Sequence, residues 1–315
     1  MAQPPSGVLM LTLSMLFFAG TPTAEASSII NGEETDTLPQ VVSLFAADEQ
    51  GEGDFFCSGT VIGEQAVLTA AHCIWYFELL AATGHPNLWV LSGTDVSEDG
   101  TQDSVRATDW VAHPGFDLTH LNNDVGLVFL PENNFDFDVM PVNRDAITDA
   151  EIGTKQRYVG FGISDELTGQ AGVKRFGDIP LNNFEVDVLF GYDPHGRFNA
   201  CSGDSGGAVL EFNELGWEIT GVISAGGQPE GDGVECTGGY TLSPRVDAHL
   251  EWIEEYTEVW SAEEWKNRFE RTPEVDEEPR SAGCSTAPDQ RFLIPGLALV
   301  IGLLRLGRRR AELRP

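Results

Sequence analysis

Short strand-forming runs, each cut off by Gly, Asp or Asn, follow one another along this chain. Val41–Phe45, Thr60–Ile62, Leu88–Leu91, Val125–Leu130 and Phe184–Phe190 are examples. This spacing suits an all-β barrel better than βαβ units. At 315 residues the chain has room for one large domain or two smaller ones.

Chemistry concentrates in Cys201-Ser202-Gly203-Asp204-Ser205-Gly206-Gly207. A hydroxyl stands between glycines, one residue after a carboxylate. Flanking glycines let the backbone turn tightly and let a substrate approach. A serine hydroxyl is a poor nucleophile until a base takes its proton and donors hold the oxyanion that forms. The backbone N–H groups of Gly203 and Ser205 are candidates for those donors. Thr69-Ala70-Ala71-His72-Cys73 offers a base, and Asn122-Asn123-Asp124-Val125-Gly126-Leu127 offers a carboxylate to orient it. Each stretch alone has a plainer reading: a packed histidine, a turn aspartate, an ordinary Gly-Ser loop. Their order along the chain, His then Asp then Ser, is what carries weight.

On these three stretches, residues 29–255 resemble the trypsin/chymotrypsin-type serine protease domain. The resemblance implies an all-β fold of two antiparallel six-stranded β-barrels, the active site in the cleft between them, and a C-terminal helix. It makes His72 the general base, Asp124 the group that fixes its tautomer, and Ser205 the nucleophile, with Gly203 and Ser205 forming the oxyanion hole. His72 and Asp124 then belong to the first barrel and Ser205 to the second, which begins near Val159-Gly160-Phe161-Gly162. Disulfides Cys57–Cys73 and Cys201–Cys236 are implied as well. The floor of the primary pocket falls on Asn199, where trypsin-like enzymes place Asp. Its walls fall on Ser224, Ala225, Gly226 and Gly238. An amide cannot supply a charge, so the expected pocket is neutral, open and suited to bulky uncharged residues, unless Asp232 or Glu235 reaches inward. Ile29-Ile30-Asn31-Gly32 resembles the start of the mature chain, whose new amine pairs with the carboxylate before the nucleophile, here Asp204. Ser27-Ser28 precedes Ile29 where the zymogens carry Arg or Lys, so tryptic activation is not expected.

No cofactor is implied. Some relatives bind calcium in the loop corresponding to Thr94–Asp103, where Asp95, Glu98, Asp99 and Asp103 cluster; a solvated acidic loop is the simpler account. His85, His120, His195 and His249 lack metal-ligand spacing. Lys plus Arg number 18 and Asp plus Glu 50, a formal net charge of −32 that argues against nucleic acid as a partner. Protein or peptide substrates and a monomer are expected.

The termini give the chain its address. Residues 1–26 read as a signal peptide, with an apolar run Leu9–Ala19 and an Ala24-Glu25-Ala26 cleavage pattern; a cut after Ser28 is an alternative. Export places the chain where disulfides persist. Arg245–Tyr256 shows apolar residues near helical spacing. Residues 256–283 read as an acidic linker, opening with a short helix. Residues 284–315 combine Cys284, the apolar run Phe292–Leu304 and an Arg cluster at 305–310. This tail resembles the tripartite C-terminal sorting signals of bacterial surface proteins, most closely the myxobacterial type. It implies membrane association and processing near Cys284. The expected function is a secreted or surface-tethered serine endopeptidase acting through an acyl-enzyme. The competitors are a non-catalytic binding or adhesion module on the same fold and, more weakly, an esterase.

Overall fold

The computed structural model describes residues 29–270, apart from 97–100, 133, 136–137 and 228–235. Residues 1–26, expected to be a signal peptide, and Glu98, Asp99, Asp232, Glu235 and Cys284 lie outside the described residues.

A short strand β1 (Glu33–Glu34) leads into an antiparallel sheet built from β2 (Val41–Ala47), β3 (Gly53–Gly63), β4 (Ala66–Thr69), β5 (Asn87–Gly93), β6 (Thr101–Arg106), β7 (Asp109–Ala112) and β8 (Gly126–Phe129). Helix α1 (Ala71–Ala82) stands between β4 and β5. The hydrogen-bonded order is β6-β5-β2-β3-β4-β8-β7. β6 and β7 are consecutive in the chain yet close opposite ends of that order. The sheet therefore curls until its two ends meet at Ala107–Thr108.

The second sheet repeats the device. It contains β9 (Lys155–Gly160), β10 (Arg175–Phe184), β11 (Val188–Tyr192), β12 (Ala208–Asn213), β13 (Gly216–Val222), β14 (Ala225–Gly227) and β15 (Tyr240–Pro244), in the order β13-β12-β9-β10-β11-β15-β14, with β1 on β10. β13 and β14 again occupy opposite ends and are joined through Ile223–Ser224. Among the described residues the two sheets count seven and eight strands, where six and six were expected. In each sheet one bent segment supplies a strand to both ends, and β1 adds to the second.

Alternation along the strands makes the cores. In β10, Arg175, Gly177, Ile179 and Leu181 are buried while Phe176, Asp178 and Pro180 are half-buried between them. One apolar cluster fills the first sheet and runs on into the second through Val159, Phe161, Ala208, Leu210 and Ile219. A smaller one, including Ile29, Tyr158, Ile179, Leu189 and Ile223, fills the second. Because the larger cluster spans both sheets, packing fixes their relation, and each fully buried Leu or Ile contributes about 1.5–3 kcal/mol.

Helix α2 (Val246–Glu254) follows β15 and buries Val246, His249, Trp252 and Ile253. Of the expected linker 256–283, residues up to 270 are described, and they begin as packed chain. Val259, Trp260 and Ala262 are buried, and helix α3 (Ala262–Glu270) follows. Apolar Val259 and Trp260 explain the difference, since they have a surface to cover. The segment fastens to both sheets and to the chain between them. Val142 N–H donates to the Trp260 carbonyl (2.8 Å), Ala262 N–H to Glu218 Oε1 (2.6 Å), and Arg268 to Glu64 Oε1 (2.8 Å). Among the described residues, no helix is long and apolar enough to cross a membrane.

Candidate active site

His72 sits in the first turn of α1, a helix favoured by its Ala, Leu and Glu content and lacking a side-chain cap at Ala70. The first backbone N–H groups of a helix have no partner within it. Asp124, fully buried ahead of β8, fills that need. Its Oδ1 accepts the His72 backbone N–H at 2.7 Å, and its Oδ2 lies 2.7 Å from His72 Nδ1. A carboxylate there is also favoured by the helix dipole. The Ser224 hydroxyl donates to the same Oδ2 at 2.5 Å. Since a carboxylate oxygen can only accept, the histidine proton is assigned to Nδ1, and Nε2 is left to accept. The His72 side chain remains 22% exposed.

Ser205 lies in the turn before β12. Its hydroxyl donates to the Ser224 carbonyl at 3.2 Å, and among the described residues no hydrogen bond joins it to His72. Such bonds are often loose in a free site and tighten with substrate. The turn orients two N–H groups by holding the carbonyls opposite them. Ser202 O accepts from Ile163 N–H and Asp204 O from Gly207 N–H, both at 2.8 Å. In a trans peptide the N–H points away from the carbonyl, so Gly203 N–H and Ser205 N–H face the other way. Neither has a protein acceptor among the described residues. Gly203 holds φ +95°, which a Cβ would strain.

Asp204 is wholly buried beneath this turn. Its carboxyl accepts from Gly162 N–H (2.8 Å), Cys201 N–H (2.9 Å) and the Ile29 N–H. Burial pushes its pKa up to about 7, against the opposing pull of those hydrogen bonds. A Cβ on Gly162 would lie 2.4 Å from Asp204 N, so only glycine allows this approach. The Ile29 side chain is fully buried, and Ile30 pairs with Asn199 as an isolated bridge.

Beside Ser205 lies a cavity of about 200 Å³, lined by Ala200, Cys201, Ser224, Ala225, Gly226 and Cys236 among others. β14 ends the strand order and, among the described residues, pairs on one side only, with β15. Of the expected pocket residues, Ser224, Ala225 and Gly226 are on the lining; Asn199 and Gly238 are not. Asn199 is buried behind it. Its Nδ2 donates to Cys236 O and its Oδ1 accepts from Thr241, both at 2.6 Å, which holds the side chain out of the cavity. Ser224 was expected only as wall, yet its hydroxyl reaches Asp124.

Disulfides Cys57–Cys73 and Cys201–Cys236 are formed. They also account for the two donor clusters of metal-like composition among the described residues, Cys57–His72–Cys73 and Glu166–Cys201–Cys236: bridged sulfurs have no thiolate to offer. Glu166 instead accepts from the backbone of Cys236 and Thr237, bracing the chain beside the cavity. Two further participants were not assigned a role from the sequence, although Thr69 opens the stretch that contains His72. Ser58 donates through its hydroxyl to Gly203 O, and Thr69 donates to Ser58 O, both at 2.9 Å. Buried serines and threonines look alike in sequence whether or not they touch a site.

A family model described as Trypsin matches residues 29–253. Brachyurin of Leptuca pugilator is 29% identical over 253 residues, covering 73% of this chain and 99% of the relative. A chymotrypsin of Phaedon cochleariae is 26% identical over 250 residues, covering 75% and 84%. A vitellin-degrading protease of Bombyx mori is 27% identical over 261 residues, covering 75% and 89%.

Proposed function

This chain belongs to the trypsin family of serine-type endopeptidases, and from that premise we propose that it cuts peptide bonds through an acyl-enzyme formed on Ser205. The observation that carries the reading is the buried Asp124 carboxylate on His72 Nδ1, with Ser205 and two unpaired, oriented N–H groups beside it. In this mechanism His72 Nε2 takes the Ser205 proton as Oγ attacks the scissile carbonyl. Gly203 N–H and Ser205 N–H receive the oxyanion, and Asp124 stabilises the imidazolium. His72 then protonates the leaving amine, and water repeats the sequence to release the acid. The family's chemistry needs no cofactor.

Specificity in this reading is for bulky uncharged residues. It is supported by the small-residue lining and by Asn199, whose amide is spent on Cys236 and Thr241. β14 offers its unpaired edge to an extended substrate. The mature enzyme begins at Ile29, whose free amine pairs with Asp204. The enzyme is secreted, in keeping with its two disulfides, and is held at the cell surface through the segment containing Cys284.

One observation favours a second reading, a binding module on the same fold: the Ser205 hydroxyl bonds Ser224 O and not His72. A single experiment separates the two. The chain from Ile29 to Ala282, with a Ser205→Ala control, is incubated with a peptide mixture and the new termini are read by mass spectrometry. The endopeptidase reading expects cuts after bulky uncharged residues that fall at least about 10³-fold in the control. Folded protein starting at Ile29 that cuts no faster than the control would establish the binding module. Cuts confined to Lys and Arg would remove the neutral pocket alone.

A further inference from the structure

The turn 201–207 is fastened mostly by backbone groups of the second barrel. Ser202 O accepts from Ile163 N–H, Asp204 N–H donates to Cys201 O at 3.0 Å, and Asp204 O accepts from Gly207 N–H. Two fastenings come from one residue of the first barrel. The Ser58 backbone N–H donates to Ser205 O at 2.8 Å, and the Ser58 hydroxyl donates to Gly203 O at 2.9 Å. Ser58 is fully buried on β3, directly after Cys57. Its Oγ also accepts the Phe161 N–H at 3.1 Å, so its own hydrogen is directed to Gly203. The Ser58 carbonyl accepts from Thr69, three residues before His72. Phe161 adjoins Gly162, which holds Asp204. One hydroxyl thus lies where the histidine barrel, the oxyanion turn and the Asp204 support meet.

We propose that Ser58 is a positioning residue for the oxyanion turn: its hydroxyl fixes the Gly203–Asp204 peptide and so keeps Gly203 N–H aimed at the developing oxyanion. The proposal rests on the reading of Gly203 and Ser205 as the oxyanion donors. Its physical basis is the softness of glycine. Gly203 can rotate about φ and ψ with little steric penalty. A half-buried carbonyl that loses its donor turns toward another, and that rotation carries the neighbouring N–H with it. Backbone bonds alone hold the Ser202–Gly203 peptide from one side. The hydroxyl of Ser58 holds the other side and sets the turn in register with His72.

The test uses Ser58→Ala and, as a variant of similar size with a weak donor, Ser58→Cys, in the chain that starts at Ile29. The substrate is the peptide cut fastest in the cleavage profile. Two probes share its sequence. One ends in a trifluoromethyl ketone, to which Ser205 Oγ adds while its proton passes to His72, leaving an oxyanion. The other ends in the corresponding alcohol, which forms none. In Ser58→Ala, kcat is expected to fall about tenfold or more, part of the roughly 10²–10³ that a whole oxyanion donor supplies. KM stays within about twofold, ketone affinity falls in step with kcat/KM, and alcohol affinity is unchanged. Ser58→Cys falls between Ala and the parent. Unchanged kcat in a folded variant, or equal weakening of ketone and alcohol, would overturn the proposal. So would failure of both variants to fold, which would make Ser58 a folding residue. If the parent itself binds the ketone no tighter than the alcohol, the oxyanion reading falls first and takes Ser58 with it.

Discussion

Asn199 shows how much one buried side chain decides. Both ends of its amide are used: Nδ2 on Cys236 O and Oδ1 under Thr241. Asn199→Asp would set a carboxylate oxygen against the Cys236 carbonyl, an uncompensated buried charge costing on the order of 3 kcal/mol. The variant is expected to melt below the parent, to regain stability when benzamidine enters the cavity, and to cut after Lys and Arg. Thermal shift with and without benzamidine checks this. A variant that melts like the parent and ignores benzamidine would show that position 199 does not set the charge of the pocket. Residues of this kind divide sharply in legibility. His72, Asp124 and Ser205 could be singled out as candidates because reactive types stood among unusual neighbours: an Ala-rich stretch, a paired Asn, a glycine turn. Ser58 and the hydroxyl of Ser224 could not, because a small hydroxyl acts only through what folding brings against it. Lys174 is a sharper case. It is buried with its ammonium on the carbonyl oxygens of Leu38 (3.1 Å) and Val41 (3.5 Å), and burial pulls its pKa down to about 8. No pattern in the sequence sets it apart from a surface lysine.

Among the elements, strands were legible in kind and misjudged in number. Apolar runs bounded by Gly, Asp and Asn announce strands, but a strand that bends and serves both ends of a sheet is one run in sequence and two in the sheet. The stretch after α2 was read as a short helix opening an acidic linker, and α3 is such a helix, but the packing ahead of it was not read. Its charge suggested a linker, while Val259 and Trp260 carry its packing. This segment straps the two sheets together, through Glu218 on one and Glu64 beside the other. Ending the chain at Tyr256 should remove that packing and lower the unfolding free energy by about 3 kcal/mol or more, with kcat per folded molecule preserved. Urea midpoints and active-site titration measure the two quantities. An unchanged midpoint would mean that the strap rests on the barrels without supporting them.

For the whole molecule, the fold and its class were legible because the motifs came in order. The energetic state of the interior was not. Asp204 has a folded pKa of about 7, raised by burial, against about 3.9 in an unfolded chain. A raised acid binds its proton more tightly when folded. Its contribution is therefore complete below about pH 4 and is lost as pH rises through 7, an amount on the order of 4 kcal/mol. A free Ile29 amine would offset that loss by pairing with the carboxylate. Urea unfolding of the uncut chain and of the chain starting at Ile29 should diverge between pH 4 and 7.5, with the uncut chain the weaker. Parallel curves would mean that the amine does not reach Asp204. The bend at Ile223–Ser224, which joins the two ends of the second sheet, has a consequence of its own. Ser224 at that corner bonds both Asp124 and Ser205. One corner of the second sheet thus ties together a carboxylate held ahead of β8 and a hydroxyl held ahead of β12, so neither is in place until both sheets have formed.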